Sequence, residues 1–260
     1  MFNAKEIKKE FPILKRKVNG QNLHYLDNGA SSQKPIGVIE AVKNCYLNEY
    51  SNVHRGLHFL SNLATENFEA VREKARKFLG ASLGKEIIFT SGSTEGLNLI
   101  SYSWANEHLV EGDEIILTTL EHHANIVPWH FLRQRKNIKL SWVNPDEHGN
   151  ISLSQIEEKI TKNTKMVCFT HMSNVFGSVL NAREICKLLR SKGIVSVVDG
   201  SQAAAHLNLD VRDIDCDFYV ITGHKIFGPT GTGILYIKED RLGEMIPFNG
   251  GGAMIKSVSK

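Results

Sequence analysis

The feature that most constrains the fold of this chain is the alternation of short β-branched segments with helical patterns. Seven segments are predicted to be strands, at residues 86–90, 114–119, 139–143, 165–171, 194–199, 217–222 and 233–237. Several of them are apolar almost throughout, which is typical of strands that are covered on both faces. Helices are predicted between and before them, at residues 64–79, 94–107, 126–136, 152–160 and 182–192.

Strand–helix–strand alternation predicts an α/β fold with a mostly parallel central sheet and helices on both faces. We expect residues 1–20 to form an N-terminal helical segment and residues 21–260 to form one large domain. Ser152 and Gln155 have the spacing of a capping box at a helix start. Ligands bind to such sheets at the carboxyl ends of the strands, so the residues that follow each strand are the candidates for a site.

Composition argues against several classes of function. The 260 residues include 31 basic and 28 acidic side chains, a balance that favours neither a nucleic-acid-binding nor a membrane-binding surface. We find no apolar stretch long enough to span a bilayer and no signal-peptide pattern. The four cysteines lie far apart, which favours a reducing cytoplasm over a disulfide framework. We expect Cys45, Cys168 and Cys186 to be buried packing residues.

A glycine-rich turn, residues 91–96, follows the first strand of the predicted sheet and leads into a helix. Such a turn presents free backbone N–H groups and the positive end of a helix dipole, which suits a phosphate. The alternative is a simple helix cap by Ser93 or Thr94. A second glycine-rich stretch, residues 228–233, does not join a strand to a helix, and we predict a tight loop there.

Two further polar residues follow strands. His122 could be a metal ligand, but we find no third ligand at a recognisable spacing, so no metal site is predicted. Its flat imidazole could instead stack on an aromatic ring or play a structural part. Asn174 could bind a ligand oxygen or cap its own loop.

Asp199 and Lys225 also follow strands that are predicted to be buried. A carboxylate there is costly unless it is paired, and a protonated pyridine nitrogen would pair it; the alternative is a helix cap. Lysine is the residue that forms Schiff bases, although most lysines are surface residues. One compact aromatic phosphate aldehyde, pyridoxal 5′-phosphate (PLP), would explain the anion loop, His122, Asp199 and Lys225 together.

The order of these motifs resembles the fold-type I PLP enzymes of the class-V aminotransferase group, and more specifically the SufS-type cysteine desulfurases. The resemblance spans nearly all of the 260 residues. The strings that carry it are Tyr25-Leu-Asp-Asn, Val53-His-Arg-Gly, Gly92-Ser-Thr-Glu-Gly, Glu121-His-His-Ala-Asn-Ile-Val-Pro-Trp, Val198-Asp-Gly-Ser-Gln, Asp215-Cys-Asp-Phe-Tyr, Thr222-Gly-His-Lys and Gly250-Gly-Gly.

The resemblance implies a role for each candidate residue. Lys225 would carry PLP as a Schiff base and move the α-proton of the substrate, and His122 would stack on the ring and assist proton transfer. Asp199 would keep the ring nitrogen protonated, and Gln202 would contact the phenolic oxygen. The phosphate and the substrate carboxylate would be bound by the remaining candidates: Ser93, Thr94, Asn174, Thr222 and His224.

The resemblance also implies an activity. Family members take sulfur from L-cysteine, leave it on an enzyme cysteine as a persulfide and release alanine, for iron–sulfur cluster assembly. A homodimer and a sulfur-acceptor protein are therefore expected. The alternatives are a selenocysteine lyase, another class-V aminotransferase, or a non-catalytic PLP-binding fragment that acts as a partner of a full-length enzyme.

Two departures from the family pattern bear on these expectations. Gly29 stands where the family has alanine, which is expected to loosen the backbone near the substrate. Family members also continue into a small C-terminal domain that supplies the persulfide cysteine and an arginine for the substrate carboxylate. The sequence ends at Lys260, so we expect that domain to be absent, with PLP binding retained and little desulfuration.

Overall fold

A computed structural model describes residues 3–251 of the chain. Its main element is a seven-stranded sheet, and a two-stranded ribbon of β1 (Lys17–Val18) and β2 (Gln21–Asn22) lies near the N-terminus. The strands of the main sheet are β3 (Ile87–Thr90), β4 (Glu114–Thr118), β5 (Lys139–Val143), β6 (Thr164–Thr170), β7 (Val195–Asp199), β8 (Phe218–Thr222) and β9 (Gly233–Ile237). Every predicted strand is present, and none differs by more than one residue at either end.

The main sheet has the strand order β3-β9-β8-β7-β6-β4-β5. The neighbours from β8 to β5 are all parallel, whereas β9 is antiparallel to both β8 and β3. Because β9 is reversed relative to both neighbours, β3 points in the same direction as the five parallel strands. Six strands therefore place their carboxyl ends at one edge of the sheet, and the predicted mostly parallel α/β fold is confirmed.

The helices connect and flank the strands of this sheet. They are α1 (Ala4–Lys9), α2 (Ile36–Asn44), α3 (Phe59–Leu79), α4 (Ser93–Ile100), α5 (Asn106–His108), α6 (Val127–Lys136), α7 (Leu153–Lys159), α8 (Ala182–Ser191), α9 (Ala203–His206), α10 (Val211–Ile214) and α11 (Glu239–Leu242). The predicted capping box is confirmed, since Ser152 and Gln155 exchange backbone-to-side-chain hydrogen bonds.

The predicted helix at residues 94–107 is not continuous. A π-helical turn, Ser101–Ala105, separates α4 from α5. Ser101, Ser103, Trp104 and Ala105 are all buried in that turn. An amphipathic α-helix usually buries only one face, whereas this turn buries most of its circumference. Hydrophobic periodicity alone does not predict such a π-helical turn.

Alternate residues of each central strand contribute to two separate apolar cores. Ile116 and Val167 belong to a core on one face of the sheet, with residues of α3, α8 and α10. Ile115 and Met166 belong to a second core, with residues of α4 and α6. Helices therefore cover both faces, which explains the nearly continuous apolar sequence of these strands.

The cysteines differ in their burial. Cys168 and Cys186 are buried, as predicted, and Cys216 is buried too. The prediction is wrong for Cys45, which is exposed in the π-helical turn that follows α2. Since α2 and this turn bury no residue at all, a helical position there does not imply burial.

Candidate functional site

The carboxyl ends of the strands surround a cavity of about 700 Å³. Its walls are formed by the loops that follow the strands and by residues of the segment 26–30. Eight of the nine site residues predicted from the sequence line it: Ser93, Thr94, His122, Asn174, Asp199, Thr222, His224 and Lys225. The structure thus brings together side chains that lie up to 132 residues apart in the sequence, from Ser93 to Lys225.

One end of this cavity is the N-terminus of α4. Gly92 caps the helix without a side-chain hydrogen bond, so the structure does not have the alternative cap by Ser93 or Thr94. Within residues 3–251, the backbone N–H groups of Ser93, Thr94 and Glu95 have no acceptor. A helix N-terminus with free N–H groups that faces a cavity suits a phosphate.

A close backbone approach shapes this end of the cavity. Gly92 has a φ of +155°, which side chains rarely adopt, and it lies against Gly233. A Cβ atom at Gly233 would come within 2.5 Å of the Cα atom of Gly92, so no side chain fits between the two backbones. The tight loop predicted at 228–233 is present as residues 228–232, and Gly233 begins β9.

Three polar side chains at this end have no partner in the described part of the chain: Thr94, Thr222 and His224. Burial and the nearby charges of Lys225 and Lys34 lower the pKa of His224, which favours a neutral imidazole. Two hydroxyls and one ring N–H group can therefore donate hydrogen bonds to a phosphate without losing an existing bond. The hydroxyl of Ser93, in contrast, is hydrogen-bonded to that of Ser201 at 2.6 Å, which leaves the Ser93 backbone for a ligand.

Asp199 ends β7 with its side chain at the wall of the cavity and is only 4% exposed. Its Oδ1 atom accepts hydrogen bonds from the backbone N–H and the hydroxyl of Ser201, at 2.9 and 2.6 Å. None of the described residues donates a hydrogen bond to Oδ2. A buried carboxylate with one unpaired oxygen is suited to a cationic ring N–H group.

Lys225 lies in a short 3₁₀ turn, Gly223–Lys225, directly after β8. Its Nζ atom makes no hydrogen bond or ion pair with the residues between 3 and 251. Burial lowers the pKa of Lys225, and the charge of Asp199 opposes this effect in part. A lowered pKa increases the fraction of free amine at neutral pH, which is the nucleophilic form.

His122 and Asn174 complete the wall. The Nδ1 atom of His122 accepts a hydrogen bond from the backbone N–H of Ala124 at 3.1 Å. Burial and the charge of Lys225 lower the pKa of His122, which favours the neutral ring. Because Nδ1 accepts a hydrogen bond, the neutral ring carries its proton on Nε2. Asn174 is exposed on the loop after β6, where its amide can reach a ligand in the cavity.

Gln202 is the one predicted site residue that does not line this cavity. Its Nε2 atom donates to the carbonyl of Gly29 at 2.6 Å, and its side chain lines a smaller cavity of about 300 Å³. Lys225 lines both cavities, so Gln202 is close to the lysine but on a different wall. Its contact with the phenolic oxygen of a cofactor stays a prediction.

Glu121, which directly precedes His122, was missed as a site residue. Its carboxyl accepts hydrogen bonds from the Thr118 hydroxyl at 2.5 Å, the Asn125 amide at 2.7 Å and the Thr170 backbone at 2.9 Å. It joins the ends of β4 and β6 behind the cavity wall, since it does not line the cavity itself, and burial raises its pKa to about 8. The signal available in the sequence was an acid placed between an apolar strand and two histidines.

His171 and Tyr219 form a second buried pair that sequence reasoning missed. The Nδ1 atom of His171 lies 2.8 Å from the Tyr219 hydroxyl, and the backbone N–H of His171 donates to the carbonyl of Asp199. The Tyr219 ring occupies the space that a Cβ atom at Gly200 would need, at 2.0 Å. The pair therefore packs directly beneath the turn that carries Asp199.

Acid is expected to destabilise the fold through His171, because burial lowers its pKa from 6.5 to about 4. Between these values the unfolded chain binds a proton that the folded chain does not bind. The free energy of unfolding then falls by up to about 1.4 kcal/mol for each pH unit as the pH drops through this window. His171→Gln, which can still pair with Tyr219, is expected to remove this dependence.

Urea unfolding of the wild type and of His171→Gln at pH 7, 5.5 and 4.5 measures how the free energy of unfolding depends on pH. The raised pKa of Glu121 gives the opposite slope in both proteins, so only the difference between the two is informative. Equal slopes would show that His171 does not titrate in this way.

Alanine is expected to be tolerated at Gly29. The φ of Gly29 is not in the positive region, and a Cβ atom there would meet only Nε2 of Gln202, at 3.9 Å. No steric reason in the structure therefore requires glycine at this position, and the expected loosening of the backbone near the substrate stays a prediction. Gly29→Ala is expected to stabilise the chain by about 0.4–1 kcal/mol, because it restricts the unfolded chain.

The control for Gly29→Ala is Gly177→Ala, at a glycine with a φ of +72° and open space around it. That control is expected to destabilise the chain, since alanine is strained at a positive φ. Urea unfolding gives both free energies. A loss of stability in Gly29→Ala would contradict the steric argument.

Residues 3–251 contain neither a cluster of metal-ligating side chains nor a membrane-spanning helix. No group of three or more His, Cys, Asp or Glu residues in this part of the chain could hold a metal ion. None of the helices described there combines the length and apolar character needed to cross a membrane.

The sequence is similar to one known protein family and to proteins that are named cysteine desulfurases. Residues 24–260 match the family described as aminotransferase class-V. A cysteine desulfurase from Cronobacter sakazakii is 46% identical over 258 residues, which are 99% of this chain and 64% of that protein. A probable cysteine desulfurase from Halalkalibacterium halodurans is 45% identical over 257 residues, which are 99% of this chain and 63% of that protein.

Solved structures show the same likeness. The cysteine desulfurase CsdA from Escherichia coli has a TM-score of 0.89 and 36% identity, and the match covers 100% of this chain and 64% of that one. The apo cysteine desulfurase from Thermococcus onnurineus has a TM-score of 0.92 and 36% identity, with 100% and 63% covered. This chain therefore spans a little under two thirds of the length of these proteins.

Proposed function

Because the chain belongs to the class-V aminotransferase family, we propose that it binds PLP and forms the cofactor-binding part of a cysteine desulfurase. The observation that carries this proposal is that two polar groups without hydrogen-bond partners among the described residues lie on the wall of one cavity. The Nζ atom of Lys225 has no partner among the described residues, and neither has Oδ2 of Asp199. PLP presents an aldehyde to the first and a ring nitrogen to the second.

The residues present fit the whole cofactor. The N–H groups at the start of α4, with Thr94, Thr222 and His224, would hold the phosphate. Asp199 would hold the ring nitrogen in its protonated form, and the flat imidazole of His122 would lie against the ring. Lys225 would hold the cofactor covalently through Nζ.

PLP, when bound, supplies an electron-accepting ring that weakens the bonds at the substrate α-carbon. The chain supplies the groups around that carbon. Free amine at Lys225, favoured by its lowered pKa, would take up the proton of the α-carbon. Neutral His122 has its Nε2–H group available as a donor, and Asn174 would orient the substrate carboxylate.

The proposed substrate is L-cysteine, with a thiol as sulfur acceptor. The acceptor thiol becomes a persulfide and the substrate becomes alanine. Burial raises the pKa values of Cys168, Cys186 and Cys216, which suppresses their thiolate forms. Cys45 is exposed but is not among the residues that line the cavity. None of these four cysteines is therefore a suitable acceptor.

We also propose a cytoplasmic homodimer that passes sulfur to an acceptor protein for iron–sulfur cluster assembly. Large apolar side chains are exposed from the end of α2 to the start of α3, and such patches commonly mark protein interfaces. They are Tyr46, Leu47, Tyr50, Leu57 and Phe59. Light scattering across a range of protein concentrations tests the dimer.

Proton exchange at the substrate α-carbon tests the proposed function without requiring a sulfur acceptor. We expect the PLP-loaded 260-residue chain to incorporate solvent deuterium at the α-carbon of L-cysteine, measured by NMR, while little alanine forms. D-cysteine and PLP-free protein are the controls. No exchange and no spectral response to L-cysteine would contradict the proposal. Robust alanine production would instead show that a suitable acceptor thiol is present in the chain.

A further inference from the structure

The segment 32–34, which is far away in the sequence, is hydrogen-bonded to the backbone beside Lys225. The carbonyl oxygen of His224, the residue just before the lysine, accepts hydrogen bonds from the backbone N–H and the hydroxyl of Ser32, both at 2.9 Å. It also accepts one from Nζ of Lys34 at 3.1 Å. A fourth donor, the hydroxyl of Ser31, lies farther away at 3.4 Å. A carbonyl oxygen has two lone pairs, so the three closer donors already saturate it and fix its position.

Ser32 holds both sides of the lysine turn. While its hydroxyl donates to the His224 carbonyl, its oxygen accepts the backbone N–H of Phe227 at 2.8 Å. The two contacts lie one residue before and two residues after Lys225. Ser32 is only 4% exposed, so water does not readily replace these bonds.

Lys34 adds a charge to the same contact. Its Nζ atom donates to the carbonyl of Ser32 at 2.6 Å as well as to that of His224. Hydrogen bonds from an ammonium are stronger than those between neutral groups. Lys34 is half-buried at this contact, and this partial burial lowers the pKa of its ammonium.

We propose that Ser32 and Lys34, here called the clamp, are positioning residues that hold Lys225 at the wall of the PLP cavity. Lys225 lines two cavities, and only the larger one contains Asp199. By fixing residues 224 and 227, the clamp restricts the backbone from which the lysine side chain extends. This inference rests on the proposed function, since it concerns the lysine on which that function depends.

Hydrogen exchange of the PLP-free chain tests the contact itself. Ser32→Ala and Lys34→Met are expected to speed exchange of the Phe227 amide by about tenfold, since each loses hydrogen bonds that close the turn. Exchange in β7, whose amides lie in the middle of the sheet, should not change. Ser31→Ala is the matched control, because the Ser31 hydroxyl reaches the same carbonyl only at 3.4 Å. Unchanged exchange at Phe227 in both variants would overturn the proposal.

The rate at which PLP modifies Lys225, followed by borohydride reduction and peptide mapping, tests the positioning role. We expect about a tenfold slower rate in Ser32→Ala and Lys34→Met, and recovery of most of the rate in Lys34→Arg. Faster amide exchange with an unchanged modification rate would make the clamp merely structural and would overturn the proposal. Wild-type chain that PLP never labels would refute the proposed function, whereas the exchange experiment would still decide whether the clamp holds the turn.

Discussion

Lys225→Ala is expected to abolish covalent incorporation of PLP. Borohydride treatment of the PLP-loaded wild type should leave a stoichiometric label, and the variant should retain only background. Incorporation of deuterium into L-cysteine should fall by at least about 100-fold, because the group that moves the α-proton is lost. Mass spectrometry and NMR measure the two effects.

The physical reason for this large effect is that Lys225 differs from the other lysines near the site. Lys34 is engaged by two carbonyl oxygens, whereas Nζ of Lys225 has no partner within the described residues. Lys43→Ala is a suitable control, since Lys43 pairs with Glu40 on the exposed face of α2. A Lys225→Ala protein that still gave a stoichiometric label would place the reactive amine elsewhere.

Asp199→Asn is expected to weaken PLP binding by at least about thirtyfold and to suppress proton exchange further. An asparagine keeps the shape of the side chain and can still accept the hydrogen bonds from Ser201 through its amide oxygen. It removes the charge that would pair with a protonated ring nitrogen, a loss of about 2 kcal/mol or more for a buried pair. Equilibrium dialysis or fluorescence titration gives the affinity.

The matched control is Asp217→Asn, because Asp217 is also a buried acid next to a strand of the sheet, directly before β8. Both of its oxygens are already bound within the protein, Oδ1 by Arg241 and Oδ2 by Ser196. That substitution is expected to lower the free energy of unfolding and to leave PLP affinity nearly unchanged. Equal losses of affinity in the two variants would argue against a specific role for Asp199.

The strands were predictable because burial on both faces leaves a nearly continuous apolar run in the sequence. The segment 139–143 and the segment 233–237 have their predicted bounds in the structure. The convergence of the site residues followed from the same pattern, since parallel strands carry their following loops to one edge. The anion loop, His122, Asp199 and Lys225 all line the cavity for this reason.

Contacts between distant segments were not predictable. Ser32 and His224 are 192 residues apart, and no periodicity links a serine in an irregular segment to a particular backbone carbonyl. The tie between Gln202 and Gly29 has the same character, and it places Gln202 outside the main cavity. Glu121 was overlooked because the polar partners of a buried acid come from three different elements.

The exposure of Cys45 shows a related weakness. Packing of a helical cysteine was inferred from its local pattern alone, but α2 lies on the surface with no buried residue. Burial depends on which elements cover a helix, and that is a property of the tertiary structure. The local pattern around a residue therefore predicts its secondary structure better than its burial.

The proposed function depends on one cavity that is complementary to PLP, so the decisive experiment is a crystal structure of the PLP-loaded chain. We expect continuous density from Nζ of Lys225 to the cofactor, with the phosphate at the N-terminus of α4 and the ring nitrogen beside Oδ2 of Asp199. PLP bound at another surface, or bound with its phosphate away from α4 and its ring nitrogen away from Asp199, would refute the proposed function.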